Sequence, residues 1–319
     1  MTFEISTFEI PIAIRALRTA SIYILDDGKN KILIDTGMDD QIDTFLESRG
    51  VDIENINMVL LTHLHIDHVG GVNKLHNNYN LNGYIGKEDL RRIEAIQSSA
   101  KGFISWQIDY LRRNGVPDKF LENLTESHPV FRELKNYLDL KLEPLEAIKN
   151  LPNGIRTLHV PGHSPGSTCY FVNDSTALMS GDHILERITP NISYYDEEED
   201  MLGEYLSSLI KTKNIKVKAT FPGHGKPFGN QNERIDQLIK HHGDRMNEIM
   251  ELVRDKWLTA YETAHKMRWS KGRTMESMNM MESNFAIGEA ISHLRHMEST
   301  GTLDKKEIGG IYYYGSSSI

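Results

Sequence analysis

A short segment rich in histidine offers the clearest chemistry in the sequence. His63, His65, Asp67 and His68 fall within six residues, directly after the apolar run Met58–Leu61. In extended backbone His63 and His65 are two residues apart and therefore project to the same side of a strand. Imidazole and carboxylate groups are ligands of zinc, and iron and manganese accept them too. The segment therefore predicts a metal site.

Three later segments each pair a potential ligand with turn residues at the end of a predicted strand. They are Pro161-Gly162-His163, Ser180-Gly181-Asp182-His183 and Pro222-Gly223-His224. A rigid scaffold usually presents its functional groups on such loops. Each segment alone is weak, but together with the first they favour one shared centre. We expect His183, beside Asp182, to be a neighbour of that centre rather than a ligand.

The ligand-bearing motifs resemble those of the metallo-β-lactamase-fold hydrolases over roughly residues 22 to 229. The resemblance implies an α/β (α+β) fold, an αββα sandwich with a two-metal site at one edge of its paired sheets. It also implies a ligand set, carried over residue by residue. The first ion would be held by His63, His65 and His163, the second by Asp67, His68 and His224, and Asp182 would bridge the two.

The bridging position holds a carboxylate, Asp182, where the antibiotic-resistance enzymes of this family have cysteine. The chain is in this respect similar to the glyoxalase II, lactonase and β-lactamase-like 2 branches, the last of which includes single-strand endoribonucleases. Cys169 lies in the middle of a predicted strand and matches no ligand position, so we interpret it as a small buried apolar residue.

The chemistry follows from this ligand set. Two divalent ions about 3.5–4 Å apart, zinc being preferred over iron or manganese, would share a water whose pKa falls toward neutrality. The resulting hydroxide would attack a carbonyl carbon or a phosphorus. Asp67 would both bind metal and orient the nucleophile, which makes it the predicted catalytic residue. Asp35, at the end of an earlier strand, suits a hydrogen bond to a ligand histidine, although a turn-forming role is comparably plausible.

Alternating strand and helix patterns must position these loops. Apolar, β-branched runs predict strands near 21–25, 31–34, 58–62, 156–160, 168–172, 176–179 and 217–221. Helical spacing predicts helices over 39–49, 201–211 and 285–299. Between about 87 and 151 the pattern is helical with few strand signals, which indicates an insertion. This insertion either forms a pocket wall, with Phe103, Trp106 and Tyr110 as apolar contacts, or simply covers a sheet.

The pattern changes again after Gly229, and we predict a catalytic domain over 1–229 and a smaller domain over 230–319. The smaller domain begins with long amphipathic helices and ends with a helix closed by Gly301. Two short strands flanking Gly309-Gly310 follow, as in a hairpin. This order is typical of a winged helix.

Three functions fit these features. The first is hydrolysis of a small-molecule ester, thioester or lactone. The second, less favoured, is a metal-dependent endoribonuclease or phosphodiesterase whose winged helix contacts nucleic acid through a patch such as Lys266, Arg268, Lys271 and Arg273. The third is a non-enzymatic sensor that binds DNA or a partner. The complete ligand set favours an enzyme over the third.

Composition narrows the remaining possibilities. The 319 residues carry a net charge of -9, which weakens any function that needs a broadly basic surface for nucleic acid. Apolar runs are far shorter than the roughly 18 residues of a membrane span, so we expect no membrane partner. Met1 to Ile14 lack the basic residues of a secretion signal, and one cysteine fits a reducing compartment. The expected location is the cytoplasm, and the oligomeric state is left open.

Overall fold

The computed structural model describes residues 2–12, 17–38, 41–127 and 129–316, with the backbone alone described for 125–127, 129–133 and 271. The strands are β1 (Glu4–Pro11), β2 (Thr19–Asp26), β3 (Lys31–Ile34), β4 (Met58–Leu60), β5 (Gly83–Ile85), β6 (Leu142–Pro144), β7 (Ile155–His159), β8 (Thr168–Val172), β9 (Ala177–Gly181), β10 (Ala219–Pro222), β11 (Asp304–Ile308) and β12 (Ile311–Gly315). The helices are α1 (Ile42–Ser48), α2 (Ile66–Val69), α3 (Val72–Tyr79), α4 (Lys87–Ser98), α5 (Ala100–Arg113), α6 (Asp118–Ser127), α7 (Pro129–Leu138), α8 (Met201–Lys213), α9 (Gln231–Val253), α10 (Ala260–Lys266) and α11 (Met280–Ser299).

Contacts divide the chain into two compact units, each built from three separate segments. The first unit comprises Met1–Ser98, Lys135–Pro190 and Ser207–Ile235. The second comprises Ser99–Leu134, Asn191–Leu206 and Asp236–Ile319. α5 and α6, two helices of the predicted insertion, therefore belong to the same unit as the C-terminal helices α10 and α11. The domain boundary between residues 229 and 230 stays a prediction.

Two sheets form the first unit. The larger has the strand order β1-β2-β3-β4-β5-β6, antiparallel from β1 to β3 and parallel from β3 to β6. The smaller has the order β10-β9-β8-β7, with β10 and β9 parallel and the other pairs antiparallel. Tyr23, Ile32 and Leu60 of the larger sheet share one apolar cluster with Tyr170 and Met179 of the smaller. The main core of this unit thus lies between the sheets.

The second unit is mainly helical and has its own apolar core. Tyr110 and Leu111 of α5 pack in this core with Ile249 of α9 and Ile291 of α11. Of the predicted insertion, α4 to α7 are helical as expected, but β6 is a strand of the larger sheet that the sequence pattern did not predict. This strand is only three residues long, too short to show a periodicity.

The C-terminal segment ends in the predicted hairpin. β11 pairs antiparallel with β12, and Gly309 and Gly310 connect them with φ of +59° and +81°. Both values lie in the left-handed region that glycine adopts without strain. Before the hairpin, α10 and α11 each begin with a capping box, formed by Thr259 with Glu262 and by Asn279 with Glu282. The order helix, helix, hairpin is the predicted one; its function as a winged helix stays a prediction.

Candidate metal centre

Strand ends of both sheets deliver the polar residues of the centre, all within the first unit. His63 and His65 follow β4 of the larger sheet, and Asp67 and His68 lie on the short helix α2 that begins immediately afterwards. His163, Asp182 and His224 follow β7, β9 and β10 of the smaller sheet. The strands before these residues range from the fully buried β9 to the mostly exposed β7, and the sheets fix the ends of the loops from which the side chains project.

Three groups of side chains could each hold a metal ion. They are His63 with His65 and His163, His63 with His68 and Asp182, and Asp67 with His68 and His224. Within each group the potential ligand atoms lie within 4.8 Å of one another. The structure therefore brings all seven sequence-predicted residues into one cluster. Their assignment as ligands is taken up under the proposed function.

Asp182 occupies the middle of this cluster. Its Oδ2 lies 3.6 Å from His163 Nε2 and 3.4 Å from His224 Nε2, while its Oδ1 lies 3.6 Å from His68 Nε2. One carboxylate thus faces histidines of both predicted ligand sets. This is the position that a bridging carboxylate needs.

The ring nitrogens on the far side of the cluster are held by hydrogen bonds. His68 Nδ1 lies 2.8 Å from Asp35 Oδ2, and the same carboxylate accepts hydrogen bonds from the Thr62 backbone N–H and hydroxyl. His224 Nδ1 lies 2.8 Å from the Thr19 carbonyl oxygen. Such bonds fix the tautomer and the orientation of an imidazole. The hydrogen bond expected of Asp35 is confirmed.

The charge distribution is suited to a cation. Burial, reinforced by neighbouring histidines, lowers the pKa of His63 well below its usual value and that of His65 to about 3, so both rings are neutral at pH 7. Burial raises the pKa of Asp67, but His68 and His224 outweigh it and bring the value to about 2. For Asp182, His224 and His68 likewise outweigh burial and hold the pKa well below its usual range. Neutral imidazole and ionised carboxylate are the forms that bind metal.

Nearby carboxylates raise the pKa values of two further histidines. Burial lowers the pKa of His68, but Asp35, Asp67 and Asp182 raise it to about 8. Burial also lowers the pKa of His224, yet Asp182 and Asp67 raise it to about 11. The raised pKa values favour the protonated form of both rings, and metal binding would release these protons.

Orphaned polar atoms test whether the residues fit a metal. Among the described residues, the buried side-chain atoms without a well-formed hydrogen bond include His68 Nε2, Asp182 Oδ1 and His224 Nε2, whose nearest opposite charges lie 3.4–3.6 Å away. Such atoms cost about 1–3 kcal/mol each when they are left unpaired. All three belong to the cluster, and nitrogen and oxygen donors of this kind are what a divalent ion binds. The cluster therefore fits the predicted metal pair.

Close packing explains one glycine of the predicted motif. A Cβ on Gly223 would lie 2.2 Å from Asp182 Oδ1 and 2.7 Å from His68 Cε1. Real Cβ atoms do not approach other atoms so closely, so position 223 has room for glycine alone. The loop that carries His224 can thus pass directly beside Asp182.

Sequence reasoning missed three buried residues that hold the ligand-bearing loops. The Tyr23 hydroxyl donates to the Pro222 carbonyl at 2.5 Å, and the Tyr170 hydroxyl donates to the Leu61 carbonyl at 2.6 Å. Each tyrosine reaches across from one sheet to the other. Asp89 accepts hydrogen bonds from two of the loops. No sequence motif marks any of the three residues.

Other residues singled out in the sequence lie elsewhere. His183 is buried, its Nε2 lies 3.0 Å from the Thr212 hydroxyl, and none of the three candidate groups among the described residues includes it. Trp106 and Tyr110 stack at 5.7 Å between ring centroids in the core of the second unit. Tyr110 is buried there among apolar residues, and a pocket wall formed by this segment stays a prediction. The side chain of Lys271 lies outside the described residues.

Comparison with known proteins agrees with this geometry. The model of the metallo-beta-lactamase superfamily matches residues 15–224. The beta-lactamase-like protein 2 homolog of Drosophila melanogaster is 28% identical over 242 residues, which cover 74% of this chain and 68% of that protein. The lactamase-like protein aptB of Emericella nidulans is 24% identical over 75% of this chain, and the match spans 62% of its own length.

Solved structures extend the likeness to nearly the whole chain. A metallo-beta-lactamase family protein from Thermus thermophilus is 21% identical with a TM-score of 0.77, and the match covers 98% of each chain. A beta-lactamase domain protein from Burkholderia ambifaria is 24% identical with a TM-score of 0.79 and covers 98% of this chain and 92% of its own. At these identities the likeness concerns the fold, and it confirms the predicted α/β fold class. Together with the superfamily match over residues 15–224, it identifies the chain as a member of the metallo-beta-lactamase superfamily, a family of metal-dependent hydrolases whose fold binds divalent metal ions.

Proposed function

We propose that this protein is a dinuclear metal-dependent hydrolase acting on a small-molecule ester, thioester or lactone. The observation that carries the proposal is the position of the Asp182 carboxylate, which faces His163, His224 and His68 at 3.4–3.6 Å. A carboxylate between two histidine sets is what a pair of ions needs as a bridge.

The proposed ligand sets follow the grouping of donor atoms. His63, His65 and His163 take the first ion, Asp67, His68 and His224 take the second, and Asp182 contacts both. Two of the three groups of close donor atoms support this division, and the third joins the sets through His63, His68 and Asp182. Zinc is the proposed metal because imidazole and carboxylate suit it, although the same donors accept iron and manganese.

The chain's own residues set up the reaction. When bound, a pair of divalent ions supplies Lewis acidity and lowers the pKa of a shared water toward neutrality. Asp67 is ionised, with a pKa of about 2, and therefore accepts a hydrogen bond from the attacking water and orients it. Asp35 holds His68 in one tautomer, and the Thr19 carbonyl does the same for His224.

The net charge supports the proposed substrate class, and the single cysteine supports the proposed location. A net charge of -9 favours a substrate with few phosphates over a polyanion. Among the described residues no helix has the length and apolarity needed to cross a bilayer. Cys169 is the one cysteine of the sequence and is buried. Burial raises the pKa of its thiol, so the thiol is unreactive. One cysteine cannot form an internal disulfide, which fits the proposed cytoplasmic location.

Metal content and a substrate panel test the proposal together. The wild-type protein, loaded with Zn²⁺, is assayed on thioesters, lactones, simple esters, phosphodiesters and single-stranded RNA, with bound metal measured by elemental analysis. We expect about two ions per chain and turnover of a carbonyl substrate. His65→Ala and Asp182→Ala should each lose at least one ion and at least about 100-fold in activity, because even the outer partners of ligands are worth 10–100-fold.

The matched control is His241→Ala, which removes a half-exposed histidine of the second unit. It should keep both ions and full activity. If His65→Ala and Asp182→Ala retained wild-type metal content and activity, the site would be wrongly assigned. If only RNA were cleaved, the site would stand and the substrate class would be replaced.

The endoribonuclease alternative has one structural feature in its favour. The backbone of Leu258 exchanges hydrogen bonds with Tyr314 of β12, which adds a third short strand segment beside the hairpin that follows α10 and α11. This is the strand arrangement of a winged helix. On β11, Lys305 and Lys306 face Tyr312 and Trp257, but Glu307 follows them immediately, so the basic stripe is short. RNA cleavage in the substrate panel decides the matter.

A further inference from the structure

A buried carboxylate outside the proposed ligand set joins two of its loops. Asp89 lies in the first turn of α4, the helix that follows β5, and its side chain is fully buried. Burying a carboxylate is costly unless hydrogen bonds compensate it. The partners of Asp89 therefore indicate what the group is for.

These partners are on the loops that bear three histidines. Asp89 Oδ2 accepts hydrogen bonds from the Leu64 backbone N–H at 2.8 Å and from the Ser164 hydroxyl at 2.7 Å. Its Oδ1 accepts one from the Gly166 backbone N–H at 2.6 Å. Leu64 stands between His63 and His65, and Ser164 follows His163. One carboxylate thus connects both segments that supply the three-histidine group.

Close packing keeps this connection short. A Cβ on Gly166 would lie 2.5 Å from the Asp89 backbone nitrogen, and a Cβ on Gly86 would lie 2.2 Å from the Gly166 carbonyl oxygen. The 161–167 loop therefore sits directly against the start of α4, with glycine on both sides of the contact. Within that loop the Ser164 and Ser167 hydroxyl oxygens are 2.8 Å apart. Burial raises the pKa of Asp89 to about 7, against the effect of its three donors.

Asp35 makes the corresponding contacts for the other group. Its Oδ2 lies 2.8 Å from His68 Nδ1, and it also receives two hydrogen bonds from Thr62. His68 belongs to the group of Asp67, His68 and His224. The Thr62 hydroxyl also lies 3.0 Å from His63 Nδ1, so Asp35 contacts His68 directly and reaches His63 through Thr62, whereas Asp89 contacts only the segments of the three-histidine group.

We propose that Asp89 is a positioning residue for the three-histidine group alone, so that the affinity for the ion at that group can be lowered without changing the affinity for the other ion. Asp89 acts through the Leu64, Ser164 and Gly166 contacts on the group of His63, His65 and His163. Asp35 acts on both groups, directly on His68 and through the Thr62 hydroxyl on His63. The inference rests on the proposed metal centre and adds how its halves are held.

The test measures Zn²⁺ affinity and not catalysis. Metal-free wild-type protein and the variants Asp89→Asn and Asp35→Asn are titrated with Zn²⁺ in a calorimeter. Replacing one carboxylate oxygen by an NH₂ group removes an acceptor and turns a donor toward the Asp89 partners. We expect Asp89→Asn to weaken one of the two binding events about 10–100-fold and to leave the other within about twofold, the range seen for outer partners of metal ligands.

A double-mutant cycle identifies which ion is affected. In the His65→Ala background, which lacks the three-histidine group, Asp89→Asn should have no further effect on the remaining site, whereas Asp35→Asn should weaken it. In the His224→Ala background, which keeps the three-histidine group, Asp89→Asn should weaken the remaining site. Asp43→Asn is the matched control, because Asp43 is also a buried aspartate of the first unit but bonds to Asn78 and Lys74, away from the cluster.

Ser164→Ala provides a milder variant should Asp89→Asn fold poorly. It removes one of the three hydrogen bonds and should weaken the same ion by a smaller factor, with unchanged circular dichroism of the metal-free protein. Equal weakening of both ions by Asp89→Asn or Ser164→Ala, or an undiminished effect in the His65→Ala background, overturns the inference while the wild type still binds two ions. A wild type that binds no Zn²⁺ instead overturns the proposed function.

Discussion

At the residue scale, the contact between Gly223 and Asp182 links the backbone to the proposed bridge. A methyl group at position 223 would overlap Asp182 Oδ1 and His68 Cε1. We expect Gly223→Ala to displace the carboxylate and to lower Zn²⁺ affinity by at least about 10-fold, as loss of an outer contact does. Equilibrium dialysis of the purified variant measures the effect.

Gly243→Ala is the matched control for this substitution. Gly243 lies within α9, and a Cβ there would meet no atom within 4 Å. Alanine should stabilise this helix by about 0.5–1 kcal/mol and leave metal binding unchanged. Wild-type Zn²⁺ affinity in Gly223→Ala would show that the packing around Asp182 can relax and does not hold the carboxylate.

Residue types and their spacing predicted the seven residues of the cluster but not the residues that hold them in place. His63, His65, His163 and their partners are marked by motifs at the ends of predicted strands. Asp89 and Tyr170 are not, because each acts on a segment at least 25 positions away in the chain. Their importance comes from distances that the fold creates, and a single sequence does not contain these distances.

At the element scale, strand prediction succeeded where burial and pattern coincide. The predicted strands 31–34 and 168–172 match β3 and β8, both of them buried almost throughout. β1, β5 and β6 were missed; β5 and β6 have only three residues each and show little alternation, whereas β1 has eight residues of which most are exposed. The helix predicted over 39–49 is α1, which begins at Ile42; position 39 lies outside the described residues.

A buried pair of histidines between α9 and α11 makes the free energy of unfolding depend on pH. His242 Nδ1 lies 3.1 Å from His293 Nε2, with Glu289, His241 and Arg245 around them. Burial lowers the pKa of His242 to about 3, so the folded chain binds fewer protons than the unfolded chain below about pH 6.5. Stability is therefore lost as the pH falls from 6.5 toward 3, at up to about 1.4 kcal/mol per pH unit for this ring.

His242→Gln should reduce that pH dependence. The glutamine cannot titrate, so we expect a shallower fall of the unfolding free energy between pH 6.5 and 4.5, measured by urea denaturation of the metal-free protein. Gly243→Ala on the same helix adds a methyl group where no atom lies within 4 Å and should leave the slope near that of the wild type. An unchanged slope in His242→Gln would mean that this ring is not a source of acid sensitivity.

At the scale of the whole molecule, the two units are interleaved along the chain. The second unit takes residues 99–134 and 191–206 from the region before the predicted boundary at 229 and 230. Its core joins Tyr110, Leu111 and Leu121 to Ile249 and Ile291. Sequence patterns predicted helical structure over 87–151 and beyond 229 but not which helices pack together, because helical periodicity indicates which face is apolar and not what covers it.

Truncation after residue 229 tests the predicted boundary. The shortened chain would keep α5 and α6 but lose α9 to α11, which supply much of the apolar core of the second unit. We expect it to bind a hydrophobic dye and to aggregate, because large apolar patches would be exposed. Full-length protein handled identically is the control. A soluble, monomeric fragment that binds no dye would support a self-sufficient domain over 1–229.

The order of segments along the chain has a consequence for synthesis on the ribosome. The helices of residues 99–134 emerge long before residue 236, where most of the second unit begins. At ~5–20 residues per second, the hundred or so intervening residues take on the order of ten seconds. During that interval a nascent polypeptide displays Tyr110, Leu111 and Leu121 without their later companions. We expect this delay to make the nascent chain depend on chaperones more than a protein whose two units are translated one after the other.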